Sequence, residues 1–293
     1  MLFLHPLDDV HDVEMSAERL NRLGIETSLF DPGRFIREFP SFNPDGIGVA
    51  ALERGAGHAD PHATTEGLYR RAVELGAVGR MGVRVAKLET SERGVVVTSD
   101  DGTMTSCGRV LIAAGPWTKP LAAQVGADLP LTVERQSVFW LEPQTHSALY
   151  DRARFPIYAY EYQAGSICYG FPRLPRGVKA SVMHGGVTTH PDRVTRTVDE
   201  NEVKPLRAAL RPVLPGLAEA TVRESGVCLF TNTPDHDFIV DFHPDYPQVL
   251  ISSACSGHGF KFASAIGELQ ADLLTKGEAR FDLSPFRIDR WRV

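Results

Sequence analysis

A mixed α/β (α+β) fold is predicted by two features of the hydrophobic pattern. Helical and extended periodicities alternate up to about residue 130 and again near the C-terminus, as in chains that layer helices on a sheet. From Leu131 the pattern changes to longer strands joined by short turns, which predicts a large, mainly antiparallel sheet.

Each element follows from local residues. After Leu4, the stretch Met15 to Leu23 reads as a helix, and Pro32, Pro40 and Pro44 interrupt the chain up to Asp45. Asp60 is an N-cap and Pro61 the first position of a helix, with Leu68, Ala72 and Leu75 as its expected buried stripe. A strand from Gly82 to Leu88 is separated by Ser91-Glu92-Arg93-Gly94 from Val95-Val96-Val97, and Asp101-Gly102 is a tight hairpin turn. Arg109 to Ala113 is a continuous apolar strand running into Gly115 and Trp117, which suits either a strand end facing a ligand or a plain sharp turn.

The antiparallel section comprises Thr132 to Leu141, Ile157 to Gln163, Ser166 to Phe171 and Val178 to Thr188, with a hairpin at Ala164-Gly165. Strand alternation sets Val178, Ala180 and Val182 on one face and Lys179, Ser181 and Met183 on the other. A helix is expected from Val198 to Val213. Phe262, Ile266, Leu269 and Leu273 recur at helical spacing, so a helix begins near Phe260, just after the turn Ser256-Gly257-His258-Gly259. Lys261 then stands in the first turn, where the helix dipole prefers negative charge. Either it is a solvated lysine, or an anion binds at this helix start and partners both the lysine and the free N–H groups.

The chain has 293 residues with 43% hydrophobic content, enough for two domains. A net charge of -6 with mixed signs offers no basic stripe for nucleic acid. No apolar run reaches the ~20 residues of a membrane span, and Met1 to Pro6 is too short for the core of a signal peptide. Cys107, Cys168, Cys228 and Cys255 form no Cys-x-x-Cys pair, so neither a zinc site nor a disulfide framework is indicated, and a soluble, cytoplasmic protein is expected. His236, Asp241 and His243 read as turn and strand-end residues rather than metal ligands.

Gly226-Val227-Cys228, Thr233 to Asp241, Ser256 to Phe262 and Phe281 to Phe286 together resemble the C-terminal part of the monomeric sarcosine oxidase and N-methyltryptophan oxidase family. These are FAD-dependent amine oxidases of the D-amino-acid-oxidase superfamily. Arg135-Gln136, Tyr169-Gly170-Phe171-Pro172 and Ala113-Ala114-Gly115-Pro116-Trp117 extend the likeness over nearly the whole chain.

The resemblance implies an FAD-binding domain from 58–130 and 235–293, and a substrate domain from 1–57 and 131–234. It implies an isoalloxazine between the sulfur of Cys228, attached as a thioether, and the ammonium groups of Lys179 and Lys261. Lys179 would promote reaction of the reduced flavin with oxygen, Lys261 would hold a substrate carboxylate, Tyr169 would touch the substrate amine, and His258 would support the ring edge. Val85, Ala114, Gly115, Trp117, Gly257, Gly259 and Phe260 would line the cofactor. The histidine expected four residues after the lysine is Met183, and Phe230 stands where sarcosine oxidases have tyrosine.

One family feature has no counterpart. Gly55-Ala56-Gly57-His58-Ala59-Asp60 has aspartate in place of the third glycine, so it fails as a dinucleotide fingerprint. The implied Rossmann-like domain is therefore incomplete. The expected activity is oxidation of a secondary amine, an N-methyl or cyclic amino acid, with oxygen reduced to hydrogen peroxide. The alternatives are a dehydrogenase with another acceptor, a split enzyme whose partner chain supplies the pyrophosphate cradle, or a truncated remnant without catalysis.

Overall fold

The computed structural model describes residues 1–5, 11–45, 47–92 and 94–291. Pro6 and Arg93, used above, lie outside them. The chain divides into two compact units. Unit 1 comprises Met1–Ala59, Arg135–Val187 and Thr195–Cys228; unit 2 comprises Asp60–Glu134, Thr188–Val194 and Leu229–Val293.

Unit 1 opens with β1 (Leu2–His5), α1 (His11–Arg22), β2 (Thr27–Phe30), α2 (Pro32–Glu38) and β3 (Val49–Glu53). Here α1 begins earlier than the periodicity suggested. β2, α2 and β3 were not anticipated at all, although Asp31-Pro32 repeats the cap-and-proline signal of Asp60-Pro61, with Asp31 accepting from the Arg34 N–H at 2.9 Å. In unit 2, α3 (Pro61–Glu74), β4 (Val85–Ser91), β5 (Gly94–Ser99), β6 (Met104–Cys107), β7 (Val110–Ile112) and α4 (Thr118–Ala123) follow. Next come β8 (Thr132–Glu142), β9 (Tyr158–Gln163), β10 (Ser166–Leu174), β11 (Gly177–Val182), β12 (Val187–Thr188), α5 (Lys204–Leu210), α6 (Pro215–Ala218) and β13 (Thr221–Asn232). The chain ends with β14 (Ile239–Phe242), β15 (Val249–Ser253) and α7 (Ala263–Lys276).

The large sheet runs β12-β8-β11-β10-β9-β1-β3-β2, with β13 also paired to β8. It is antiparallel in β8 to β11, and β1 joins β9 in parallel. One face is core: Val178, Ala180, Leu141 and Tyr158 pack with Leu206, Leu210, Leu214 and Leu217 from α5 and α6, and with the Phe42–Phe155 stack at 5.3 Å. The expected single strand Val178 to Thr188 is instead broken. β11 stops at Val182 because His184 turns into the left-handed region (φ 54°) and the Gly185 N–H donates to Gln136 Oε1 at 3.1 Å. The expected helix from Val198 is also shorter. A single 3₁₀ turn, capped by Asp199, precedes α5, and Pro205 sits in the first turn of α5.

The 195–202 connection is fixed to β8 by Arg135, which donates to the carbonyls of Thr195 and Thr197 and to both carboxylate oxygens of Glu202. Those bonds, with Ser137, hold the Glu202 carboxyl down at about 2. A depressed carboxylate stabilises the fold above its unfolded value of roughly 4.3 and loses that contribution as pH falls through the folded value. Stability of the chain is expected to fall between about pH 5 and pH 2, and Glu202→Gln to flatten part of that slope in acid-titrated denaturant melts.

Unit 2 contains two small sheets, β4-β5-β6 and β14-β15-β7. Along β15, Val249 and Ile251 face a core that includes Leu88, Val95, Ile112 and Leu129, whereas Leu250 faces Ile266, Leu269 and Leu273 of α7. This accounts for the unbroken apolar run in β7 and β15, since both faces are covered. The helix α3 corrects an expectation. Its capped start is as read, with Asp60 accepting from the Ala63 N–H at 2.9 Å, but Leu68, Ala72 and Leu75 are exposed and the helix buries no side chain. Periodicity reports an apolar stripe; it does not say what covers it.

Candidate active site

In unit 1 the face of the large sheet opposite the core carries the candidate chemistry. Because Val178 and Ala180 are fully buried in that core, alternation turns Lys179 the other way. Lys179 is directly across from Trp140 of β8, and Tyr169 of β10 is directly across from Ser181. The Lys179 ammonium lies 5.4 Å from the Phe171 ring centroid and 5.8 Å from that of Trp140. Burial lowers its pKa; the nearby Cys228 sulfur pulls it up, and the Arg176 guanidinium lowers it further. Among the described residues no carboxylate pairs with Lys179. A cation held between aromatic walls without a counter-ion is available to negative charge that develops beside it.

Cys228 lies on β13, half-buried and free of any disulfide. Two residues earlier, Gly226 packs on the Trp140 ring, so a Cβ there would sit 3.5 Å from it. Cys228 is therefore on the Trp140 side of β13, near enough to Tyr169 and Lys179 for their charges to interact. Burial, then the Cys228 sulfur, push the Tyr169 hydroxyl up to about 12, so it stays protonated as a hydrogen-bond donor. Unit 1 thus brings Tyr169, Lys179 and Cys228 together on one sheet face. Trp140 and Phe171, as walls of this face, were missed in the sequence, because strand pairing and not a local pattern brings them beside Lys179.

In unit 2, β7 and β15 run parallel, so their carboxyl ends share one side of the sheet. Ala114, Gly115 and Trp117 follow β7 there, and Gly257, His258, Gly259, Phe260 and Lys261 follow β15. Open α/β sheets bind ligands at this end. Ser256 is fully buried in an uncommon backbone state (φ 42°), with its hydroxyl donating to the Asp237 carbonyl at 2.8 Å and its N–H to the Thr231 carbonyl at 2.9 Å. The two glycines are required by close packing. A Cβ on Gly257 would lie 2.6 Å from the Phe230 ring, and one on Gly259 would lie 1.8 Å from the Ala254 carbonyl oxygen. His258 Nε2 meets the His236 carbonyl at 3.0 Å, and its ring packs on Phe238.

Lys261 lies in a 3₁₀ turn, Gly259–Phe262, ahead of α7 rather than within the α-helix proper. Partial burial lowers its pKa, and among the described residues no carboxylate pairs with it. Gly115 (φ 53°) leaves its backbone open, with nothing within 4 Å of a Cβ position. Trp117 is exposed on one side and donates from Nε1 to Asp192 at 2.8 Å, whereas Val85 packs into the core with Ile112.

His243 and Asp241 have local structural roles. His243 is buried and accepts the N–H groups of Asp245 and Tyr246, and Asp241 accepts the N–H of Ile288. Among the described residues no cluster of histidine, cysteine and acid could hold a metal, and no helix is long and apolar enough to cross a membrane. A cavity of about 480 Å³ in unit 1 is lined by Arg54, His58, Arg152 and Arg154, not by Lys179 or Cys228.

Residues 1–273 match the DAO family, described as FAD dependent oxidoreductase. The chain belongs to that family. It is 30% identical over 262 residues to monomeric sarcosine oxidase of Streptomyces avermitilis, an alignment covering 88% of this chain and 67% of that protein. It is 33% identical over 228 residues to monomeric sarcosine oxidase of Bacillus sp. (strain NS-129), covering 76% of this chain and 57% of that one. The chain thus spans about two thirds or less of the length of these relatives. The fold matches the crystal structure of L-proline dehydrogenase from P. horikoshii with a TM-score of 0.83 at 20% identity, over 99% of this chain and 76% of that one.

The cofactor of the DAO family is FAD. The residues of this chain suit its ring in unit 1, where an uncompensated lysine, a free thiol and aromatic walls share one sheet face. They do not fit its pyrophosphate at Gly55 to Asp60, because the Asp60 carboxylate already caps the helix start that a phosphate would need.

Proposed function

We propose that this chain is the reactive part of an amine oxidase that converts a secondary amine, an N-methyl or cyclic amino acid, to an imine. The observation that carries the reading is the unpaired Lys179 ammonium beside Cys228 on an aromatic-lined face, in a chain of the DAO family. FAD, when bound, would supply the two-electron redox chemistry that couples oxidation of the amine to reduction of oxygen to hydrogen peroxide. Lys179 supplies positive charge where oxygen gains its first electron. Cys228 is the attachment point for the flavin, on the sheet face that also carries the Lys179 ammonium. Tyr169, kept protonated, donates to or packs against the substrate amine. Lys261 offers its ammonium to the substrate carboxylate, and His258 supports the ring edge. Ala114, Gly115, Trp117, Gly257, Gly259 and Phe260 line the cofactor, and Val85 backs it. The cytoplasm is the compartment that suits four free thiols.

Anaerobic mixing of the flavin-loaded protein with sarcosine, an N-methyl amino acid and L-proline tests the reading. At least one should bleach the flavin absorbance, and air should restore it with release of peroxide. Bleaching by primary amines alone would overturn the substrate class, and bleaching without reoxidation by air would favour a dehydrogenase.

A second reading is favoured by unit 2. Leu68, Tyr69, Val73, Leu75, Val78 and Met81 are all exposed, and among the described residues β7 has no partner strand beyond β15. A parallel edge of this kind is normally covered. In this reading a further polypeptide segment covers the face and supplies the pyrophosphate cradle, so that the chain alone is inactive.

A further inference from the structure

The charged neighbours of Lys179 are arranged around one ring. Arg176, in the turn between β10 and β11, lies with its guanidinium carbon 3.5 Å from the Trp140 centroid. Glu224 of β13 fixes it there, accepting from Nε at 2.6 Å and from a second N–H. Trp140 is the cross-strand partner of Lys179, whose ammonium stands farther from that ring, at 5.8 Å. A ring approached this closely by a guanidinium has little left to offer a second cation, and the like charges repel. We propose that the Glu224–Arg176 pair, seated on Trp140, is a positioning device for Lys179 that keeps its ammonium off the indole and governs how readily it holds its proton. Its functional consequence rests on the reading of Lys179 given above.

Among the described residues, the charged and titratable groups facing Lys179 are Arg176 from the turn and Cys228 from β13, with Tyr169 of β10 beside Cys228; farther out, Glu224 of β13 holds Arg176, and Glu142 of β8 is held by Arg173 and Arg223. Arg176 disfavours the ammonium, and Glu224, held ionised by its hydrogen bonds to Arg176, places a negative charge against that guanidinium, which by Coulomb's law opposes its effect. The two ends of the pair therefore act on Lys179 in opposite directions.

The chain has six lysines, Lys87, Lys119, Lys179, Lys204, Lys261 and Lys276, few enough to resolve individually. Reductive methylation with ¹³C-formaldehyde and a pH titration by NMR reads each, with Lys179→Arg assigning the signal. Arg176→Gln should raise the Lys179 midpoint by about half a pH unit, and Glu224→Gln should lower it by a similar amount. Arg176→Lys, which keeps the charge, should stay near the wild-type midpoint, and the other five lysines report whether each variant is folded. Midpoints that do not move, or that move the same way in both neutral variants, would overturn the proposal. The titration needs no turnover, so its failure is distinct from a failure of Lys179 to act on oxygen.

Discussion

Lys179→Met is expected to slow reoxidation of the reduced flavin by oxygen by about 10²–10³-fold while leaving reduction by the amine far less affected. The argument is electrostatic. Oxygen accepts its first electron as an anion, and a fixed cation in a site shielded from water stabilises that charge without reorganising. Lys179 meets the conditions for such a cation: Trp140 and Phe171 wall it in, and no described carboxylate neutralises it. Its lowered pKa gives the pH dependence a sign. The ammonium is present at low pH and lost as pH rises through the lowered pKa, so reoxidation should decline at a lower pH than an ordinary lysine would give. Stopped-flow mixing of the photoreduced protein with oxygen checks both points. A variant within about twofold of wild type would remove Lys179 from the reaction.

Cys228→Ala is expected to abolish covalent attachment altogether. Acid-precipitated wild-type protein should retain its flavin in the pellet, and the variant should release all of it to the supernatant. The remaining cysteines do not replace it. Burial pushes the thiols of Cys168, Cys255 and Cys107 up, that of Cys168 to about 12, away from the thiolate that attachment needs. Retained flavin in the Cys228→Ala pellet would assign the bond elsewhere.

Much of this face was legible in the sequence because short-range rules govern it. Alternation along Val178 to Val182 placed Lys179 away from the core, and Asp60-Pro61 and Asp101-Gly102 marked a helix start and a turn through their own side-chain chemistry. What escaped depended on distant partners. His184 leaves the strand where Gln136, on another strand, takes the Gly185 N–H. The stripe on α3 is real as a pattern, yet its exposure depends on what lies beside it in space. Trp140 gained its place beside Lys179 only from the register of β8 against β11, which no local signal fixes. Lys261 was placed in the right segment, but the chain spends one 3₁₀ turn there before α7 begins, a boundary that periodicity does not resolve.

The roles of Lys179 and Cys228 both require the flavin ring to lie against the sheet face that bears them and Trp140. Tryptic cleavage after Arg223 and Lys261 yields one peptide, Glu224 to Lys261, that contains Cys228 and Cys255, and mass spectrometry with fragmentation of the flavin-loaded protein locates the attachment. This peptide should carry the mass of FAD less the two hydrogens lost in forming the thioether, with fragmentation placing it on Cys228 and not on Cys255. Flavin on Cys255 or on any other peptide, or a fully loaded protein in which this peptide is unmodified, would contradict that placement.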